Sequence, residues 1–98
     1  MAKDAVEAAP NVYRVLFENE RVRLLEARLR PGDSSAMHAH PDYLVYGLVD
    51  GTVTFTSSSG ESAEVELKAG QTMWREAEEH AATNLGPPDV VALLFELK

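Results

Sequence analysis

Apolar and polar residues alternate with a period of two along most of this chain. Thr52, Thr54 and Thr56 interleave with Val53 and Phe55, and beyond Ser57-Ser58-Ser59-Gly60 the residues Val65 and Leu67 alternate with Glu64, Glu66 and Lys68. Successive side chains of a strand point to opposite faces, so this pattern predicts two half-buried strands joined by a hairpin tip. Val12 to Phe17 and Val22 to Leu29 read as two more strands, parted by the polar turn Glu18-Asn19-Glu20. Pro31-Gly32-Asp33 breaks the chain again. Tyr43 to Val49 forms another run and ends at Asp50-Gly51, a strong hairpin signal. Ala69-Gly70 is a turn, Thr72 to Arg75 and His80 to Leu85 are strands, and Gly86-Pro87-Pro88-Asp89 leads into a last strand, Val90 to Leu97. Only Lys3 to Ala9 offers a helical turn.

About nine short strands separated by Gly and Pro predict an all-β domain, a sandwich or closed barrel. Barrels of this size hold one small ligand at the mouth. No repeat or linker divides the chain, so residues 1–98 are read as one domain. Residues 1–10 form an N-terminal extension and residues 11–98 the barrel.

At 98 residues the chain is near the short end of what buries a self-sufficient core. A homodimer, which covers part of the surface, is therefore expected. The chain has no cysteine, which excludes disulfides and thiolate ligands and fits a reducing compartment. The opening MAKDAVEAAP lacks the apolar run of a signal peptide, and nothing approaches the length of a membrane span. These features together suggest a cytoplasmic protein. The formal charge of −7 repels phosphate backbones and anionic headgroups, so neither nucleic acid nor membrane is an expected partner. Arg21, Arg23, Arg28 and Arg30 form a local basic group. The simpler reading is a solvated strand face; the other is that one arginine points into the pocket and forks onto an anionic substrate.

The three histidines are not scattered. His38 and His40 stand two apart on a strand, so both side chains emerge on one face, as a chelating pair requires. His80 opens a later strand that a hairpin-rich fold can bring beside them. Gly32 stands six before His38, Gly51 eleven after His40, and Asn84 four after His80. These residues resemble the two signature motifs of the cupin superfamily. The first, Gly-x5-His-x-His-x3–4-Glu-x6-Gly, is matched by Gly32, His38, His40 and Gly51, with Leu44 in the place of the glutamate. In the second, Gly-x5-Pro-x-Gly-x2-His-x3-Asn, Gly70, His80 and Asn84 stand, while Glu76 takes the proline position and the inner glycine is missing. The resemblance spans about Val12 to Leu97 and implies a double-stranded β-helix, the jelly-roll barrel of the cupins.

In that family the histidines and the glutamate surround a divalent metal. Here the resemblance implies His38, His40 and His80 around a transition metal such as Fe, Ni, Zn, Mn or Cu, with open positions for a small organic molecule. The three-nitrogen set is similar to that of some cupin dioxygenases, and an isomerase is the other enzymatic expectation. A metal-free binding protein, in which Leu44 marks a lapsed metal site, is the alternative. Asp42 or one of Glu76, Glu78 and Glu79 can be considered in place of the lost carboxylate, although Pro41-Asp42 has turn chemistry and the acidic bend reads as a solvated loop. If Leu44 points inward, alternation brings Tyr46 and Leu48 with it. Tyr46 then becomes a catalytic candidate, an acid or substrate anchor, unless it is a core aromatic. Trp74, Met37, Met73, Phe55 and Phe95 are read as core or dimer-interface residues.

Overall fold

In the computed structural model, which describes residues 2–98, nine strands form two antiparallel sheets. The strands are β1 (Tyr13–Glu18), β2 (Val22–Leu29), β3 (His38–His40), β4 (Tyr43–Gly47), β5 (Gly51–Ser57), β6 (Ser62–Leu67), β7 (Thr72–Arg75), β8 (Glu78–Thr83) and β9 (Val90–Leu97). One sheet has the order β1-β2-β9-β4-β7 and the other β3-β8-β5-β6. Consecutive strands thus often lie in opposite sheets, the jelly-roll arrangement that the motif spacing implies.

The two inner faces meet in one core. Leu25, Ala27 and Leu29 of β2, Val90, Ala92 and Leu94 of β9, and Val45 of β4 face Val53, Leu67 and Ala82 of the other sheet. Each fully buried leucine or valine contributes about 1.5–3 kcal/mol relative to exposure. The hydrophobic layer therefore outweighs the modest cost of the few polar groups it surrounds.

Two turns bear out the sequence reading directly. Asn19 accepts hydrogen bonds from the backbone N–H groups of Arg21 and Val22 and closes the β1–β2 hairpin, while Ser57 to Gly60 turns β5 into β6. Asp50-Gly51 behaves differently. It carries the chain from β4 in one sheet to β5 in the other, so it is a corner and not a hairpin. Asp50 instead accepts from the Ala69 backbone N–H at 2.8 Å.

The parity of β4 is also opposite to expectation. Tyr43, Val45 and Gly47 are buried, whereas Leu44 and Tyr46 face outward at 36% and 37% exposure. Alternation carries over only within a continuous strand. Pro41-Asp42 breaks the chain where it leaves β3 for the other sheet, and that break exchanges the two faces.

The N-terminal residues are more than an extension. Asp4 caps a single helical turn, α1 (Ala5–Ala8), by accepting from the Val6 N–H at 3.1 Å. Lys3 and Asp4 pair with Ala39 on the edge of β3, and Ala5 and Ala9 are fully buried. This segment closes the barrel beside the first histidine pair.

Gly47 lies so close to β6 that a Cβ there would sit 2.3 Å from the Lys68 carbonyl oxygen. Gly86 has nothing within 4 Å of the same position. Gly47→Ala is accordingly expected to lower stability by about 1–3 kcal/mol, and Gly86→Ala to be neutral or slightly stabilising. Urea unfolding of both variants checks this; equal effects would rule out the close approach as the cause.

Candidate metal centre

β3 and β8 are antiparallel neighbours, and their register sets His38 directly opposite His80. His40 follows two residues on and shares the inner face. The three rings meet nearly edge to face, with centroids 4.7 Å (His38–His40), 4.8 Å (His38–His80) and 5.1 Å (His40–His80) apart. One nitrogen from each lies within 4.8 Å of the others, and all three residues are buried. The structure thus brings together the three histidines that the sequence singled out.

Hydrogen bonds behind two of the rings decide which nitrogen is free. His38 Nδ1 lies 2.7 Å from the Ala36 carbonyl, and His40 Nδ1 lies 2.6 Å from Glu96 Oε2. Neither partner can donate, so each Nδ1 carries the proton and each Nε2 is left with a lone pair. The His38 lone pair accepts from the Tyr13 hydroxyl at 3.0 Å. His40 Nε2 and both nitrogens of His80 are buried without a hydrogen-bond partner among the described residues. His80 Nδ1 does lie 3.2 Å from Glu78 Oε1, close enough for attraction but without the alignment of a hydrogen bond.

Glu96 is itself held in place. Arg23 Nε and Nη2 donate to its Oε1 at 2.8 and 2.5 Å, and the same guanidinium donates to Asp4 at 3.1 and 2.6 Å. Of the four clustered arginines, Arg23 therefore does turn inward, but its fork is occupied by carboxylates of the chain. A carboxylate behind a ligating imidazole fixes its tautomer and increases its basicity. Sequence reasoning missed this residue, although a lone acid at an inward position of the apolar strand Val90–Leu97 was its signal.

The acidic bend is also more structured than a solvated loop. Glu78 is the first residue of β8 and accepts from Arg75 Nε at 2.5 Å and from the Tyr43 hydroxyl at 2.8 Å. Burial alone would raise the Glu78 carboxyl, but the bonds from Arg75 and Tyr43 outweigh it and bring its pKa down to about 2. Burial pushes the His80 imidazole down to about 3, and the neighbouring His40 and His38 act in the same direction while Glu78 opposes them. Burial likewise lowers His38. His80 also stacks on Phe55 at 4.5 Å, and the Arg75 guanidinium covers the other face of that ring.

The remaining candidates fall outside the cluster. Tyr46 lies on the outer face of the larger sheet, so its proposed place among the site residues is corrected. The phenol that reaches the histidines is Tyr13, the first residue of β1. Asp42 accepts from the Ala77 N–H, as a turn acid does, and Glu79 accepts from the Ala2 N–H. Glu76 is exposed. Asn84 donates to the Leu29 and Pro88 carbonyls, while its own carbonyl accepts from Gly32 N at 2.6 Å. Gly32 has φ +88°, a left-handed conformation that favours glycine. Two residues of the two signature motifs thus lock one corner of the barrel and do not bind a ligand.

Between the rings and the core is a cavity of about 40 Å³, lined by His40, His80, Tyr13, Tyr43, Phe55 and apolar side chains. A water needs roughly 10–15 Å³, so this space takes an ion with a water or two. A bulkier molecule requires side chains at the rim to move.

No protein-family model and no curated protein matches the sequence. Solved structures do. A cupin-domain protein from Bordetella pertussis Tohama I is 29% identical with a TM-score of 0.81, over 100% of this chain and 98% of that one. The chain has the cupin fold. An RmlC-like cupin from Methanocaldococcus jannaschii has a TM-score of 0.69 at 16% identity, over 88% of this chain and 78% of that one. The polyketide cyclase RemF from Streptomyces resistomycificus has a TM-score of 0.65 at 17% identity, with 99% and 70% covered. These last two likenesses concern the fold alone.

The pKa shifts make the metal-free cupin acid-sensitive. His80 ordinarily titrates near 6.5 and in the fold near 3. Between those values the unfolded chain binds more protons, so stability falls as pH drops through that window. Glu78 adds a second loss between 4.5 and about 2. Denaturant midpoints of chelator-treated protein are expected to fall steadily from pH 7 to pH 4, and the fall above pH 5 should be smaller in His80→Gln. A flat profile would contradict the burial of neutral imidazoles.

Proposed function

We propose that this cupin holds one divalent transition metal on His38, His40 and His80 and acts there on a small organic molecule. The observation that supports this reading is the bare Nε2 of His40 and the two bare nitrogens of His80, buried in a cluster where one nitrogen of each of the three histidines lies within 4.8 Å of the others. A buried polar atom without a partner costs about 1–3 kcal/mol, and a cation would satisfy the His40 nitrogen and one of those of His80. Neutral imidazoles suit Fe, Ni, Zn or Cu, and the depressed His80 keeps its ring in the neutral form that ligation needs. Glu96 and Glu78 stand behind the rings, so the carboxylates of the site support ligands without being ligands. The residue in the motif's glutamate position, Leu44, faces outward and plays no part.

A metal with three protein nitrogens supplies Lewis acidity and, for Fe, electron transfer at its open positions, which suits an Fe(II)-type dioxygenase or a metal-assisted isomerase. The chain's own contribution begins with Tyr13. For His38 Nε2 to ligate, the Tyr13 hydroxyl must give up its hydrogen bond. It is then a phenol facing the cavity, beside the Ser35 hydroxyl, whereas the Tyr43 hydroxyl is committed to Glu78. Tyr13 thus takes the role of proton donor or anchor expected of Tyr46. Phe55 and the apolar wall exclude water from the same space. The likeness to a polyketide cyclase agrees with a small-molecule substrate, and the −7 charge and lack of cysteine agree with a cytoplasmic protein that avoids nucleic acid and membranes.

The second reading is a metal-free binding cupin, and one observation favours it: His38 Nε2 is already satisfied by Tyr13. Elemental analysis separates the two. Untagged protein reconstituted with Fe(II), Ni(II), Zn(II), Mn(II) or Cu(II) and desalted should retain about one metal per chain, and His38→Ala, His40→Ala and His80→Ala should each lose most of it. Protein that stays empty with all five would decide for the metal-free reading.

Tyr13 has its own test. In Co(II)-loaded protein, azide binding followed by visible absorption should weaken up to about tenfold in Tyr13→Phe, one hydrogen bond's worth, with metal content unchanged. Tyr46→Phe should match wild type. Equal azide affinity in all three proteins would remove Tyr13 from the site.

A further inference from the structure

The inner face of the larger sheet is not filled evenly. Leu25, Ala27 and Leu29 of β2 and Val90, Ala92 and Leu94 of β9 all point into the core, so each strand carries an alanine between two larger residues. The β2–β9 register sets Ala27 directly beside Ala92. A further alanine, Ala82 of β8, lines the same space from the opposite sheet. Protein cores otherwise pack as densely as organic crystals, and these short side chains leave the hollow that becomes the cavity of about 40 Å³. Its other wall is the histidine cluster. The bare Nε2 of His40 and the bare nitrogens of His80 belong to rings that line it, and both side chains are almost wholly buried, at 0% and 2% exposure.

We propose that this cavity is a binding site for a small apolar gas, dioxygen, held against the histidine rings. Volume alone admits a water or two, but the walls select otherwise. A buried water makes about three hydrogen bonds. Beyond the rings the lining is alanine, valine and leucine, and the hydroxyls of Tyr13 and Tyr43 are directed at His38 and Glu78. A water away from the rings therefore lacks partners, and a void of this kind stays dry and takes an apolar guest. Dioxygen is apolar, so its transfer from water to a lining of methyl groups is favourable. As a diatomic molecule it fits the space that a water or two would fill, whereas a ring or a longer chain does not. The cavity binds the gas with or without a metal. Its use as a store of reactant rests on the three-histidine reading, and there it selects the oxygenase over the isomerase, which needs no gas.

Dissolved dioxygen is paramagnetic and speeds the nuclear relaxation of the methyl groups it touches. Chelator-treated and Zn(II)-loaded protein, each compared under dioxygen and under nitrogen, give the readout. The methyls of Ala82, Ala92 and Leu94 should gain several-fold more relaxation from dioxygen than those of Ala5 and Ala9, which are fully buried but do not line the cavity. Ala92→Leu, which fills the hollow, should abolish the difference at Ala82 and Leu94 with circular dichroism and metal content unchanged. Ala82→Val, a smaller insertion, should reduce it at Leu94 and carries the test if the leucine variant does not fold. Equal gains at the two groups of methyls in wild type, or a gain that neither filling variant lowers, overturns the proposal. Metal retention is read separately. A gain in protein that retains no metal upholds the gas site and overturns the three-histidine reading; protein that retains metal but shows no gain in either form overturns the gas site alone.

Discussion

The pairing of β3 with β8 sets His38 opposite His80, and everything at the centre of the molecule follows from that register. A slip of one residue would turn every side chain of β3 to the other face. It would bring Ala39 inward, put His38 and His40 in solvent and break up the cluster. The register is held from several directions. Ser35 and Ala82 exchange hydrogen bonds beyond one end of β3, while Lys3 and Asp4 pair with Ala39 along its free edge. A three-residue strand carries few ladder bonds of its own, so these neighbours are what make it rigid.

Around the histidines the polar groups form a chain of acceptors and donors that ends in charge. His40 leans on Glu96, Glu96 on Arg23, and Arg23 on Asp4 beside the helical turn. Removing Glu96 or Arg23 strands a buried partner, at about 3–5 kcal/mol for a fully buried pair, whereas the part-exposed Asp4 end costs less. The arrangement therefore fixes the His40 ring more firmly than packing would. On the other side Glu78 is shared by Arg75 and Tyr43, and Phe55 lies flat on His80. The unpaired nitrogens are confined to the space between these supports, so the polar cost of the interior is concentrated at the candidate metal position.

The two sheets treat their outer faces differently. The outer side of β5 and β6 carries Thr52, Glu64 and Glu66 and is plainly solvated. The outer side of the larger sheet carries leucine, phenylalanine and tryptophan. A chain of 98 residues has little surface for a core, and a second apolar layer outside the barrel supplements it once it is covered. The aromatic residues that read as core or interface divide along this line. Phe55 packs inward on His80, whereas Trp74 and Phe95 belong to that outer side.

Strand positions were legible from residue alternation, since Val22–Leu29 and Val90–Leu97 each hold one inward face over their length, whereas Tyr13–Glu18 changes register between Val15 and Phe17. The spacing of His38, His40 and His80, set beside Gly32 and Asn84, pointed to the barrel and to the cluster within it. Such signals survive in one dimension because they depend on period and spacing within single strands. What failed was any inference carried across a break. Tyr46 follows inward only if Leu44, at the motif's glutamate position, points inward, and Pro41-Asp42 reverses that parity; Asp50-Gly51 reads as a hairpin although the chain there changes sheets. Tyr13, Glu96, Arg23 and Asp4 reach the histidines only because β1, β2, β9 and the N-terminal turn meet β3 in space. Glu96 is 56 residues from His40 in the chain and 2.6 Å away in the fold. The sequence by itself determined where most strands run and that His38, His40 and His80 belong together; tertiary structure decided what stands behind each ring and which phenol reaches it, because that depends on sheet order and register between distant segments.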